Sequence, residues 1–316
     1  MNANKTDKNA IRIKIIGVGG GGSNTVNRLI TQNIPMTEYI SANTNNGAVK
    51  KSNASIKLQI GRYSTKGHGA GANFEVGELA AEESRKEIEK AIQDCDILFI
   101  TAGMGGGTGT GAAPIVAKIA KNLGILTVAV VTLPFSFEGN KRMKNALSGI
   151  TKLENCVDSL IVIPNENIKK FSWTKITLDN AFSTVDDVLA QVIKNIVEVI
   201  QQSAYINCDF ADVSSIIKAS GYMHTVTAKA SGIDRVNKIV TCLKTNNLLN
   251  SSVENATGIL LYITISQDIS LAEIDEISTA LSDAADLNVN FIFGVNINEA
   301  QDADIKAVLI ATHAAK

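Results

Sequence analysis

Two glycine-rich stretches and one pair of carboxylates carry the residue types and spacings that point to chemistry in this 316-residue chain. The first stretch, Gly17-Val-Gly-Gly-Gly-Gly-Ser-Asn24, follows the apolar run Ile11–Ile16 and opens a helical pattern at Ser23–Gln32. The second, Gly103-Met-Gly-Gly-Gly-Thr-Gly-Thr-Gly111, follows Ile97–Thr101 and opens Ala112–Asn122. Glycine lets backbone approach a ligand closely, and a helix N-terminus offers unpaired N–H groups and a positive dipole end to an anion. Two such loops can wrap a polyphosphate from both sides. Five glycines and two threonines in the seven residues Gly105–Gly111 exceed what a tight turn requires.

Other chemistries are less well supported. Gly17, Gly19 and Gly22 match the GxGxxG dinucleotide fingerprint. That fingerprint expects an acidic residue about 20 positions on, at the end of the second strand. Here that strand ends in Ser-Ala-Asn43-Thr-Asn-Asn, which counts against an NAD oxidoreductase. No GK[ST] triplet follows either loop, so neither is a P-loop. The histidines His68, His224 and His313 stand beside no nucleophile motif, and Cys95, Cys156, Cys208 and Cys242 lack metal-ligand spacing. No protein-ligated metal and no disulfide framework is expected. Asp209 and Asp212, in Asn207-Cys-Asp-Phe-Ala-Asp212, read in isolation as a solvated turn or helix start.

The elements that must position these residues alternate. The runs Ile11–Ile16, Ile97–Thr101, Leu126–Thr132 and Leu160–Pro164 are short and Ile/Val-rich, as strands buried on both faces are. Helical patterns lie between them at Ser23–Gln32, Glu78–Gln93, Ala112–Asn122 and Lys141–Glu154. This predicts βαβ units and a parallel sheet. After a turn-rich Asn165–Thr177, a long helix spans about Leu178 to Ser203, so apolar at three- and four-residue spacing that it must be buried between two bodies. Strands at Gly258–Ile265, Asn290–Val295 and Lys306–Thr312, with a helix at Leu271–Asp286, predict a smaller α/β layer. The expected organisation is residues 11–177, a central helix 178–203, and 204–316.

Composition narrows the class. The chain is 45% apolar, which suffices for a real core, and 30 basic against 31 acidic residues argue against a nucleic-acid binder. No apolar run reaches the ~20 residues of a membrane span. The polar Met1–Ala10 lacks a secretory apolar core, so a cytoplasmic location without direct membrane insertion is expected. The near-zero sum hides a split. Residues 1–203 carry 23 basic and 18 acidic side chains (+5), and residues 204–316 carry 7 and 13 (−6).

GGGTGTG at 105–111 resembles the signature of the tubulin/FtsZ GTPase family, and the resemblance to bacterial FtsZ runs from about residue 11 to 312. GVGGGG at 17–22, GAGAN at 69–73, AAEES at 80–84, PFSFEG at 134–139, IVIPN at 161–165 and DFADV at 209–213 occur in family order. The resemblance implies a Rossmann-like parallel-sheet GTPase domain, a long central helix and a smaller α/β C-terminal domain. It implies GTP or GDP as ligand, with Mg2+ held through the phosphates. Phosphate contacts fall to Gly20, Gly21, Gly22, Ser23 and Asn24, and to Gly103, Gly105, Gly106, Gly107, Thr108 and Gly109. Ala70, Gly71, Ala72 and Asn73 resemble the loop that senses the γ-phosphate, and Asn43 and Pro134 belong to the same nucleotide set. Glu138 and Arg142 match the residues on the ribose and phosphate side, and Asn165, Phe182 and Asp186 the guanine site. Guanine offers donors that a carboxylate accepts together, and Phe182 a face for stacking.

In that family the loop holding Asn207, Asp209 and Asp212 completes the nucleotide pocket of the next subunit. The resemblance therefore implies a head-to-tail homopolymer, hydrolysis on assembly, and a place at the mid-cell division site. The alternative is a GTP-binding filament paralogue with weak turnover. Ser23 replaces a usual glycine and could add a phosphate contact. Cys208 replaces a usual aliphatic residue and reads first as a small hydrophobe filling the same space; the rival reading, a role in turnover, predicts that its alkylation suppresses hydrolysis and leaves GTP binding intact. The sequence stops at Lys316, short of the tail by which relatives bind membrane-tethering division proteins.

Overall fold

Apolar runs too short for helices become the middle strands of a single sheet. The computed structural model describes residues 11–171, 176–201, 205–206, 208–218, 221–246, 251–298 and 302–313. In chain order the first half is β1 (Ile13–Val18), α1 (Gly19–Thr31), β2 (Thr37–Asn43), α2 (Asn46–Lys51), β3 (Ile56–Gln59), α3 (Phe74–Glu83), α4 (Arg85–Ile92), β4 (Ile97–Gly103), α5 (Thr108–Asn122), β5 (Leu126–Leu133), α6 (Asn140–Glu154) and β6 (Ser159–Pro164). Then come α7 (Asn165–Phe171) and the 24-residue α8 (Leu178–Gln201). The rest comprises α9 (Phe210–Lys218), β7 (Tyr222–Ala230), α10 (Arg235–Lys244), the short ribbon β8 (Thr245–Asn246) and β9 (Ser251–Ser252), β10 (Gly258–Ile265), α11 (Leu271–Ser282), β11 (Asn290–Ile297) and β12 (Ile305–His313).

The main sheet has the order β11-β10-β12-β7-β6-β5-β4-β1-β2-β3. From β3 to β6 every pairing is parallel. The order 3-2-1-4-5-6 reverses direction between β1 and β4, which pair from Ile13↔Ile97 to Val18↔Ala102. In open parallel sheets ligands lie at the carboxyl ends of the strands at such a reversal. Both glycine stretches leave the sheet there. Beyond β6, β7 and β12 and then β12 and β10 pair antiparallel, whereas β10 and β11 pair parallel. The two halves of the sheet meet in one registered pair, Leu160↔Tyr222.

Helix α8 is buried against both halves, as its apolar periodicity predicts. Val185, Leu189, Ile193, Ile196 and Ile200 share one cluster with Phe99 and Val130 of the first half and Leu260, Tyr262 and Val308 of the second. Burying each such side chain is worth roughly 1.5–3 kcal/mol, so α8 ties the halves together. On the opposite sheet face, Ala112, Ala113, Val116 and Ala120 of α5 pack with Leu98, Ile100 and Val131.

Several element boundaries differ from the sequence expectation. Helices α1 and α5 begin at Gly19 and Thr108, inside the glycine stretches, rather than at Ser23 and Ala112. Close packing explains α1: a Cβ at Gly22 would lie 2.3 Å from the Thr101 carbonyl oxygen, so only glycine lets the first turn sit on β4. Packing there outweighs poor helix propensity. The single helix expected at Glu78–Gln93 is two, because Ser84 leaves helical geometry and its hydroxyl accepts the Gly61 N–H at 3.0 Å. Asn165–Phe171 is helical rather than turn-like, and residues 172–175 lie outside the described residues.

Candidate functional site

The N-termini of α1 and α5 converge at the sheet reversal. Gly19 has φ +75°, and the position its Cβ would take is 2.9 Å from the Gly109 nitrogen, so the two loops touch backbone to backbone. Neither helix has a side-chain cap or an acidic residue in its first turn. Their leading N–H groups and two dipole ends of like sign therefore face one place, and neither first turn supplies a side chain of its own to answer them.

A cleft of about 400 Å³ opens there. Gly20, Gly21, Asn24, Gly103, Gly106, Gly107, Thr108, Gly109, Pro134, Glu138, Arg142, Asn165, Phe182 and Asp186, all singled out from the sequence, line it together. A Cβ at Gly20 or Gly106 would meet nothing within 4 Å, so bare backbone faces space in which ligand atoms fit. The donor chemistry and the shape suit a polyphosphate.

The other end of the cleft suits a base. Asn165 is 4% exposed, and its buried Oδ1 has no hydrogen-bond partner, so a site for a ligand donor is already built. Burial pushes the Asp186 carboxyl up to about 7; Asp187 adds to the shift, while the Thr25 hydroxyl donating at 3.1 Å and Arg28 oppose it. Phe182 packs edge-on to Phe135, which stacks on Phe137. Between the two ends, Glu138 accepts the Phe135 N–H at 2.8 Å through Oε1 and pairs with Arg142 at 3.1 Å through Oε2.

Other expected contacts stand beside the cleft. Gly22 packs on Thr101. The buried Ser23 hydroxyl is hydrogen-bonded to Ser41 Oγ at 2.8 Å. Asn43 is buried and accepts the Asn45 N–H at 3.0 Å. Gly105 is pressed against Arg142, and its N–H donates to Thr110 Oγ1 at 2.7 Å. Ala70 and the Asn73 carbonyl back Gly107 from behind, Gly71 and Ala72 are exposed, and the Asn73 side chain caps α3. Thr108 Oγ1 shares a 2.6 Å hydrogen bond with Thr44.

Sequence reading missed four lining residues, Met104, Thr132, Val185 and Leu189. Val185 and Leu189 fall on the same face of α8 as Phe182 and Asp186, a spacing that could have flagged them. Among the described residues no cluster of three or more His, Cys, Asp or Glu could hold a metal ion.

Asp209 and Asp212 lie past the far end of α8. The helix from Asp186 to Gln201 alone is on the order of 22 Å long at 1.5 Å per residue. Asn207 lies outside the described residues. Cys208 is buried, and its thiol is pushed up to about 11 by burial and by Asp212 and Asp209. That environment makes Cys208 a packing group rather than a ready target for alkylation.

Sheet order, paired glycine loops and base pocket together define an α/β nucleotide-binding protein with a two-helix phosphate cradle. The family model for the Tubulin/FtsZ family GTPase domain matches residues 12–172, and that for the FtsZ family C-terminal domain matches residues 221–315. The chain belongs to the tubulin/FtsZ family. It is similar to a solved FtsZ dimer from M. jannaschii, with 38% identity, a TM-score of 0.88, and 97% of this chain and 89% of that chain covered. A second M. jannaschii FtsZ structure, a point mutant, gives 39% identity and a TM-score of 0.87 over 96% of this chain and 92% of that one. The GTPγS-bound protofilament of CetZ2 from Haloferax volcanii shares the fold at 19% identity and a TM-score of 0.79, covering 97% and 94%. No helix among the described residues is long and apolar enough to cross a membrane.

Proposed function

We propose that this chain binds GTP in the cleft between α1 and α5, assembles head to tail, and hydrolyses GTP at the junctions between subunits. The carrying observation is the separation along α8. Asp186 stands at the base end of the cleft, whereas Asp209 and Asp212 follow the opposite end of the helix. A carboxylate pair so far from its own pocket can serve a nucleotide only in a neighbouring copy. The backbone N–H groups of both loops hold the phosphates, Asn165 and Asp186 accept from guanine, and Phe182 covers the base. Mg2+, held through the phosphates, would supply charge neutralisation, and Asp209 and Asp212 polarise the attacking water. That the solved FtsZ relative is a dimer supports self-association. The family resemblance supports a role in a mid-cell division ring.

The test is phosphate release measured against protein concentration, with light scattering alongside. Activity per subunit that rises above a critical concentration supports the reading. Filaments without phosphate release would favour a structural paralogue, and GTP binding with release independent of concentration would overturn the shared site.

A further inference from the structure

The segment leading into Asp209 is held by β11, the strand at one edge of the main sheet. Ile206 and Val295 form an isolated antiparallel bridge, each N–H donating to the other's carbonyl at 3.1 Å. A second contact forms beside that bridge, one residue before Val295 and two residues after Ile206. The Cβ position of Gly294 lies 2.9 Å from Cys208 Sγ, 3.0 Å from Tyr262 Cδ2 and 3.3 Å from the Ile206 carbonyl oxygen. Gly294 is buried, and its φ lies outside the left-handed range, so glycine is required there for space rather than for conformation. The sulfur of Cys208, 9% exposed, fills the hollow left by the missing side chain. Asp209, the next residue, immediately precedes α9, whose Val213, Ile216 and Ile217 are fixed in the core below.

We infer that Gly294 and Cys208 are positioning residues of the hydrolytic loop: the strand's missing side chain and the loop's sulfur set where Asp209 and Asp212 stand relative to the C-terminal sheet. The inference rests on the GTPase reading above. Displacing Cys208 outward by the width of a methyl group moves Asp209 with it, while the α1–α5 cleft on the other half of the sheet is untouched.

The experiment compares the wild-type chain with Gly294→Ala, Cys208→Ala and the double variant. It measures GTP affinity of the unassembled chain, phosphate release per assembled subunit, and amide hydrogen exchange at Ile206 and Val295. Gly294→Ala should keep its GTP affinity and expose the two bridge amides. Its turnover should fall roughly ten- to a hundred-fold, the scale of an ~1 Å misplacement. Removing Sγ in the double variant should restore protection and most of the turnover, a rescue that a general loss of stability would not show. Wild-type turnover in Gly294→Ala, or a double variant as slow as Gly294→Ala, would overturn the inference while leaving the GTPase reading intact. If Gly294→Ala does not fold, a folded and active double variant supports the inference, and failure of both to fold overturns it. Absence of phosphate release from the assembled wild-type chain would overturn both readings together.

Discussion

Asp209 and Asp212 cap the same helix reciprocally. The Asp212 N–H donates to Asp209 Oδ1 at 2.8 Å, and the Asp209 N–H donates to Asp212 Oδ2 at 3.2 Å. One oxygen of each carboxylate is thereby engaged in starting α9, and the other remains available to order water. The solvated helix start and the catalytic pair, which compete as readings of the sequence, are compatible in the structure.

This separates structure from chemistry at Asp209. Asparagine is as good an N-cap as aspartate, whereas alanine loses the cap at about 1 kcal/mol. Asp209→Asn should therefore melt close to the wild type yet release phosphate far more slowly, with a deficit of order 10²-fold if the carboxylate acts on water. Asp209→Ala should show the same deficit together with a lower Tm. Calorimetry and phosphate release on assembled protein check this; an Asp209→Asn variant with full turnover would remove Asp209 from the reaction.

Ser23 supplies a contrasting case, in which a residue beside the cleft does structural work. Its hydroxyl is buried against Ser41 Oγ. Ser23→Ala should leave GTP affinity unchanged and cost on the order of 1 kcal/mol, because Ser41 is left buried without its partner. Isothermal titration and thermal melts of the same protein decide it. A large loss of affinity would mean that the hydroxyl turns to the phosphates when nucleotide binds.

Strands and loops were legible in the sequence to different degrees for physical reasons. The strands β1, β4, β5, β6 and β10 lie within a few residues of their expected limits, since burial on both faces demands continuous apolar runs. Tyr-Met-His-Thr-Val-Thr-Ala-Lys-Ala, which forms β7, carries no such run; His224 is nonetheless buried, its ring stacked on His313, so tertiary contacts decide that strand. The cleft was readable through Gly, Asn and Asp, whose chemistry is distinctive. Met104 and Thr132 were not, because nothing in an isolated methionine or threonine says that it faces a ligand.

The charge split gives a third prediction. Residues 1–203 are basic by 23 to 18 and residues 204–316 acidic by 13 to 7. In the proposed head-to-tail assembly the acidic half of one copy would meet the basic half of the next, which would speed encounter and favour the correct order. Raising the salt from 0.1 to 1 M shortens the screening length from about 10 to about 3 Å. The critical concentration for assembly should therefore rise with salt, as followed by light scattering. A critical concentration that stays flat would place these charges on faces that do not meet.

Asp186 gives the fourth, through pH. Its carboxyl titrates near 7 in the nucleotide-free cleft, raised chiefly by burial. Guanine presents donors, so only the ionised carboxylate binds it well. GDP affinity should therefore fall as pH drops from 8 to 6, approaching ten-fold per pH unit below about 7, since one unit corresponds to about 1.4 kcal/mol. Stability of the nucleotide-free chain should run the opposite way. A carboxyl whose folded value is raised contributes fully below its ordinary range near 4, and that contribution is lost as pH rises through about 7. Asp186→Asn should abolish this component of both pH dependences and weaken GDP at pH 8, where the wild-type carboxylate is charged. The phosphates of GDP also titrate, and both proteins share that component, so the difference between wild type and Asp186→Asn isolates the side chain. Parallel titrations whose affinities fall equally with pH would show that Asp186 does not meet the base.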